Sequence, residues 1–219
     1  MNMDLGKLLH IYFGEKNAST QIAVFDNKNI YDVFTRIVKV LTMQPDIEIG
    51  VLQALSYCFY EILDNVLIHS EKLCGTAVTD YDASQKKIRI LVADDGIGIA
   101  NSLRKNRIYA SISDEQALKQ CLLDKVTDGN GMGFGLYSTM KLIEQAGFNL
   151  RIHSMNYCLN FDGKNLSVEE SECWKGTVIY LEIHSDKDLN PNEIVDDRTD
   201  IATEFNEAFL DDNDLENLW

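Results

Sequence analysis

Residues 128–136, DGNGMGFGL, carry glycine at every second position, and this segment limits what the chain can fold into more than any other. The four glycines are Gly129, Gly131, Gly133 and Gly135. Because each glycine costs backbone entropy on folding, such a run needs a structural reason. A linker or mobile loop is one interpretation, and a backbone that approaches a phosphate closely is the other. A helix is predicted directly afterwards, and helix N-termini bind phosphate, which favours the second interpretation.

Two common phosphate-binding motifs do not explain the run. A P-loop needs a lysine immediately after its glycines, and none is present there. A dinucleotide-binding fingerprint needs its glycines directly after a strand, and that pattern is missing too. The glycines therefore have to be interpreted together with more distant segments.

Hydrophobic periodicity predicts an alternation of strands and helices. Strands are expected at 20–26, 86–96, 149–154 and 176–183, and helices at 30–42, 46–69, 114–123 and 136–147. Residues 155–175 are interpreted as a long polar excursion between the last two strands. This order predicts an α/β two-layer sandwich, a mixed sheet with helices on one face.

Composition and charge exclude several classes of protein. The net charge of −15 argues against a nucleic-acid partner. No export signal is visible, no apolar run is expected to span a membrane, and the five scattered cysteines indicate reduced thiols in the cytoplasm. The acidity is concentrated after residue 183, which predicts a domain at 1–185 and an acidic tail at 186–219. Within that tail, 200–210 has an apolar stripe at helical spacing, so either a disordered terminus or a docking helix is expected.

Two upstream segments carry the polar residues of a candidate site. Glu61 and Asn65, four apart in a predicted helix, share one face, where a carboxylate can orient a water and an amide oxygen can bind Mg²⁺. By themselves the two residues are better explained as part of the polar face of an amphipathic helix. Asp94 ends a predicted strand and is followed by Gly96 and Gly98, a pattern that also fits a simple tight turn.

Taken in order, these segments resemble the nucleotide-binding boxes of the GHKL ATPases, the family of gyrase, the large heat-shock chaperone, histidine kinases and MutL. EILDN resembles the N box, DDGIGI the first glycine box and GNGMGFGL the second, and KGTVIYLEI supplies the Gly-Thr before the last strand. The resemblance implies a Bergerat fold, with its nucleotide-binding core at 47–183, a mobile ATP lid, and ATP and Mg²⁺ as cofactors.

The same resemblance assigns a role to each matching residue. Glu61 resembles the water-activating base and Asn65 the magnesium ligand. Asp94 resembles the carboxylate that accepts a hydrogen bond from the adenine amino group, and Thr177 the hydroxyl near the base. The glycines that would border the base or form the lid and phosphate cradle are Gly96, Gly98, Gly129, Gly131, Gly133 and Gly135.

Departures from the family pattern indicate which branch of the GHKL ATPases the chain resembles. Many sensor kinases have a basic residue where this chain has Ile68, whereas His69 matches the His or Tyr often found at the next position. No phosphoacceptor-histidine helix pair precedes the domain. The chain most resembles stand-alone anti-sigma factors and switch kinases. Three functions stay open: an ATP-dependent switch or serine/threonine-type protein kinase acting on a partner protein in bacterial signalling, a histidine kinase module acting in trans, and a non-catalytic ATP-gated interaction module. A homodimer is left open as well.

Overall fold

The computed structural model describes residues 3–14, 20–129 and 135–194, and within these ranges the side chains of Phe148 and Asn192 are left aside. In chain order the elements are α1 (Leu5–Phe13), β1 (Gln21–Asp26), α2 (Ile30–Thr42), α3 (Ile49–His69), β2 (Cys74–Asp82), β3 (Lys87–Ala93), α4 (Ile99–Leu103), a 3₁₀ turn (Arg107–Tyr109), α5 (Asp114–Gln120), α6 (Gly135–Ala146), β4 (Phe148–Phe161), β5 (Leu166–His184) and α7 (Pro191–Ile194).

The five strands form one sheet in the order β1-β2-β3-β5-β4. Every neighbouring pair is antiparallel, so the expectation of a mixed sheet is wrong. The strand β2 was not predicted. Its outer-facing Asp80 is buried and pairs with Arg89 across the β2–β3 ladder, so the strand lacks the regular apolar–polar alternation that identifies half-buried strands.

The inner face of the sheet carries the main core. Helices α2, α3 and α6 contribute apolar side chains that pack against the inward residues of β1, β2, β3, β4 and β5. Ile62 and Leu63 of α3 are both fully buried, so this helix lies at the centre of the helical layer. The sequence analysis expected no apolar run that spans a membrane, but α3 is long and apolar enough to do so. Most of this helix is buried inside the sandwich. The α/β sandwich is confirmed.

The outer face of the sheet is covered as well, which the sequence analysis did not expect. Helix α1 packs Leu8, Tyr12 and Phe13 against the outward-facing residues of β2, β3 and β5. Asp4 caps the start of this helix by accepting a hydrogen bond from Lys7 N at 2.8 Å. Helices therefore lie on both faces of the sheet, and the expectation of helices on one face alone is corrected.

Strand β1 is an edge strand whose outer side is partly occupied by a side chain. Asn29 Nδ2 donates to Val24 O at 3.2 Å, and Asn29 Oδ1 accepts from Asp26 N at 2.7 Å. The side chains of Ile22 and Val24 are 44% and 64% exposed on this strand. The Asn29 carboxamide thus binds two backbone groups at an edge where an apolar strand faces solvent.

Residues 155–175 are not a polar excursion but the extension of β4 and β5 into a long hairpin. The pairing continues from Tyr157 opposite Glu170 to Phe161 opposite Leu166, after an irregularity near Met155. The turn lies against α6, because a side-chain carbon at Gly163 would stand 3.0 Å from Ile143 O. The hairpin is polar in sequence because only one of its faces contacts the core.

The segment after β5 returns to the helical layer. Leu189 O lies 2.2 Å from where a side chain at Gly50 would begin, and Ile194 is 1% exposed against the core. Residues up to Ile194 therefore pack on the domain. The predicted apolar stripe at 200–210 lies outside the described residues.

Candidate functional site

A cavity of about 300 Å³ opens between α3, α4, the start of α6, the end of β3 and the middle of β5. Its lining includes every described candidate except Gly96 and Gly129: Glu61, Asn65, Asp94, Gly98, Gly135 and Thr177. The fold thus brings together residues that are more than a hundred positions apart in the sequence. The volume lies at the lower end of the range typical of small-molecule pockets.

One end of the cavity is formed by the contact between α3 and α6. The Glu61 carboxylate and the Asn65 carboxamide are each 3.0 Å from the position that a side-chain carbon at Gly135 would occupy. Glu61 and Asn65 lie one turn apart on α3, as predicted, and both face the first turn of α6. A carboxylate and an amide therefore lie beside a helix N-terminus, where backbone N–H groups favour a bound anion.

Asp94 forms another part of the wall, at the end of β3. It is 5% exposed, and its carboxylate accepts a hydrogen bond from Gly96 N at 2.7 Å. Burial raises the pKa of the Asp94 carboxyl from 3.8 to about 6, although hydrogen bonds from Gly96 and Thr177 favour the ionised form. Asp94 N in turn donates to Thr177 O at 2.9 Å. Asp94 and Thr177 are thus direct neighbours, on strands paired through the sheet.

Glycine is required where three backbone segments meet beside Asp94. A side-chain carbon at Gly96 would lie 2.2 Å from Ser70 O, and one at Gly98 would lie 2.7 Å from Ser154 Oγ. Gly176 adopts φ 106°, and a side-chain carbon at Gly176 would lie only 2.3 Å from Asp94 O. The turn after β3 is therefore packed too tightly for side chains at these positions.

The sequence analysis missed a buried carboxylate at the start of the glycine run. Asp128 Oδ2 accepts a hydrogen bond from Ser102 Oγ at 2.8 Å and lies 2.9 Å from His69 Nδ1. Its side chain is 1% exposed, and all three residues line the cavity. The order differs from that of a nucleophilic triad, in which the histidine contacts the serine. The sequence signal for Asp128 is only its position directly before Gly129.

The glycine run itself is described in part. Gly129 has φ 102°, which favours glycine, and open space around its α-carbon, whereas Gly135 begins α6 against α3. Gly131 and Gly133, with the rest of the expected lid at 130–134, lie outside the described residues.

The residues present fit a purine nucleotide and a hard cation. Asp94 offers a buried acceptor for an exocyclic amine, and Gly98 and Thr177 line the same cavity. The Asn65 amide oxygen and the Glu61 carboxylate supply the hard oxygen atoms that Mg²⁺ prefers. The α6 N-terminus lies beside both.

A comparison with protein families matches most of the domain. Residues 50–187, well over half of the chain, match the family described as histidine kinase-, DNA gyrase B- and HSP90-like ATPase. The matched range contains every candidate site residue, and α1, β1 and α2 precede it. A search of curated proteins found no match. The chain belongs to the histidine kinase-, DNA gyrase B- and HSP90-like ATPase family and is an ATP-binding protein of the GHKL type.

Proposed function

We propose that this protein is a cytoplasmic, Mg²⁺-dependent ATP-binding switch or serine/threonine-type protein kinase that acts on a partner protein in bacterial signalling. The observation that carries the proposal is the contact of Glu61 and Asn65 with Gly135 at the α6 N-terminus, in the cavity that also contains Asp94. A base, a cation ligand and an anion-binding helix end at one side of a nucleotide cavity are the parts that phosphoryl transfer needs.

The proposed base recognition rests on Asp94. Its ionised carboxylate accepts a hydrogen bond from the 6-amino group of adenine. Guanine has a carbonyl oxygen at that position, so the buried carboxylate would face another acceptor and be left unpaired. Selectivity for ATP over GTP follows from this arrangement.

The proposed chemistry rests on Glu61 and Asn65. Asn65 holds the cation that neutralises charge on the phosphates. The attacking group is a hydroxyl, either of water or of a serine of the partner. The Glu61 carboxylate takes the proton of this hydroxyl while the hydroxyl oxygen bonds to the γ-phosphorus. The bond between that phosphorus and the bridging oxygen breaks, and ADP leaves with the electron pair.

Thermal unfolding and turnover test the proposal. ATP with Mg²⁺ is expected to raise the melting temperature, and GTP is not. At an ATP concentration of a hundred times the dissociation constant, the free energy of unfolding rises by about 2.7 kcal/mol. Glu61→Gln should keep the ATP-induced shift and lower phosphoryl transfer by about 10²- to 10⁴-fold. Glu144→Gln, on the exposed side of α6, is the matched control and should keep both the ATP-induced shift and phosphoryl transfer at the wild-type level.

The outcome also separates the three functions that the sequence leaves open. Labelled ATP incubated with host extract should yield an acid-stable phosphoprotein if the partner is modified on serine. An acid-labile phosphate would favour histidine phosphorylation in trans, and binding without any turnover would favour the non-catalytic module. Equal stabilisation by ATP and GTP, or by neither, would refute the assignment of the base site.

A further inference from the structure

Trp174 makes a direct contact with the base-binding strand end from the opposite face of the sheet. This residue lies on β5, opposite Met155 at the irregularity of the β4–β5 ladder. Its indole Nε1 donates a hydrogen bond to Asp94 O at 2.7 Å. The ring packs against the outer-face cluster that α1 covers. A side chain outside the cavity therefore holds the main chain of a residue whose carboxylate belongs to the cavity wall.

Asp94 depends on few other main-chain contacts. Strand β3 ends at Ala93, one residue earlier. The N–H of Asp94 donates to Thr177 O, and its carbonyl accepts from Trp174, so residues 174–177 of β5 hold both polar groups of this peptide segment. Without the indole, the carbonyl loses the side-chain donor that Trp174 supplies, and the turn to Gly96 gains freedom to move.

Helix α1 and Met3, which precedes it, contact β5 directly before Trp174. Met3 N donates to Cys173 O at 3.0 Å, and Lys7 Nζ pairs with Glu172 Oε2 at 2.5 Å. Leu5 and Leu9 of α1 join the outer-face cluster that also receives the Trp174 ring. The family match begins at residue 50, so α1 lies outside the matched region.

We propose that Trp174 is a positioning residue for Asp94, and that α1 influences nucleotide selectivity through Trp174 from the far face of the sheet. The inference rests on the proposed function, because it takes Asp94 as the base-binding carboxylate. A tryptophan that only filled space under α1 would affect the stability of the fold and leave the discrimination between bases unchanged.

Trp174→Phe tests the proposal, since it removes the N–H donor and keeps an aromatic ring. The dissociation constant for ATP is expected to rise about 3- to 10-fold, the range for one lost hydrogen bond, and the preference for ATP over GTP should fall with it. Tyr12→Phe is the matched control. It removes the hydroxyl that contacts His153 within the same outer layer. In the part of the chain that the structure describes, this hydroxyl makes no hydrogen bond to Asp94, so the affinity for ATP should stay at the wild-type value.

A second variant tests the role of α1 and decides the question if Trp174→Phe fails to fold. Asp4→Ala removes the side-chain cap of α1 and so weakens the start of this helix. On its own, Asp4→Ala should weaken ATP binding about 2-fold and lower the ATP/GTP ratio, a result that does not require Trp174→Phe to fold. In the double variant with Trp174→Phe it should have no further effect, because contacts in one network are not additive.

The failures of the two proposals are distinguishable. If the wild-type protein does not bind ATP, the proposed function fails. If the wild type binds ATP selectively, but Trp174→Phe and Asp4→Ala retain its affinity and its ATP/GTP ratio, the role of Trp174 is overturned. Emission of Trp174 in a Trp219→Phe background, where it is the only tryptophan, should change on adding ATP; an unchanged spectrum counts against the proposal.

Discussion

Replacing Asp94 by asparagine should stabilise the nucleotide-free protein while removing its response to ATP. The pKa of the Asp94 carboxyl is raised from 3.8 to about 6, chiefly because burial disfavours its charged form. A shift of about 2 units corresponds to roughly 3 kcal/mol that the ionised carboxylate costs the folded state at neutral pH. Asparagine carries no charge and can still accept the hydrogen bond from Gly96 N.

The sign of the pH dependence follows from the direction of this shift. Because the folded pKa is raised, the stability that Asp94 contributes is complete below about pH 4 and is lost as the pH rises through about 6. The advantage of Asp94→Asn should therefore be largest at neutral pH and about half as large near pH 5. At neutral pH the gain corresponds to roughly 6–12 °C in melting temperature for a chain of this size.

Thermal unfolding with and without ATP and Mg²⁺, at neutral pH and near pH 5, measures both effects. Asp95→Asn is the matched control, because the neighbouring carboxylate is largely exposed and should change little. The wild type and Asp95→Asn should be stabilised by ATP, and Asp94→Asn should not. A melting temperature of Asp94→Asn at or below that of the wild type at neutral pH, or a retained ATP shift, would refute the reasoning.

Three further changes test other parts of the site and its boundary. Asn65→Ala should weaken ATP binding in the presence of Mg²⁺ and change binding little when EDTA is present; calorimetric titration with equal losses in both conditions would exclude a cation role. Gly135→Ala should leave the free energy of unfolding within about 1 kcal/mol of the wild type, because alanine favours helix while its methyl group crowds Glu61. The same variant should lower ATP turnover severalfold, and unchanged turnover would contradict the close contact between α3 and α6. Truncation after Ile194 should preserve folding and the ATP-induced shift, whereas truncation after Ser185 should lower the melting temperature, since Ile194 is buried; equal melting of the two fragments would contradict this packing.

The sequence predicted the parts of the fold that follow local periodicity. Helix α2 spans 30–42 as expected, and α6 ends at Ala146 before Gly147, whose φ of 64° favours glycine. The directions of the strands depend on long-range pairing, which periodicity does not contain, so the sheet was wrongly expected to be mixed. Helix α1 was missed because its buried side chains face a second, smaller core on the outer side of the sheet.

In the candidate site, too, the sequence predicted the residues that lie in local motifs and missed those that depend on long-range contacts. Glu61, Asn65 and Asp94 were identified because each lies in a short motif, and the structure places all three in one cavity. Asp128 and Trp174 lie in no such motif. Their roles depend on partners distant in the chain, Asp128 on His69 and Trp174 on the Asp94 carbonyl, and local sequence gives no sign of either contact.

The carboxamide of Asn29 has a consequence for how copies of this protein meet in solution. A strand from another molecule would extend the sheet by bonding to the outer backbone groups of β1, and Asn29 already occupies Val24 O and Asp26 N. The exposed apolar side chains of Ile22 and Val24 favour association at this edge. By occupying the backbone groups, Asn29 therefore opposes edge-to-edge pairing of sheets and the aggregation that would follow. Association by sheet extension would first have to displace a hydrogen-bonded side chain.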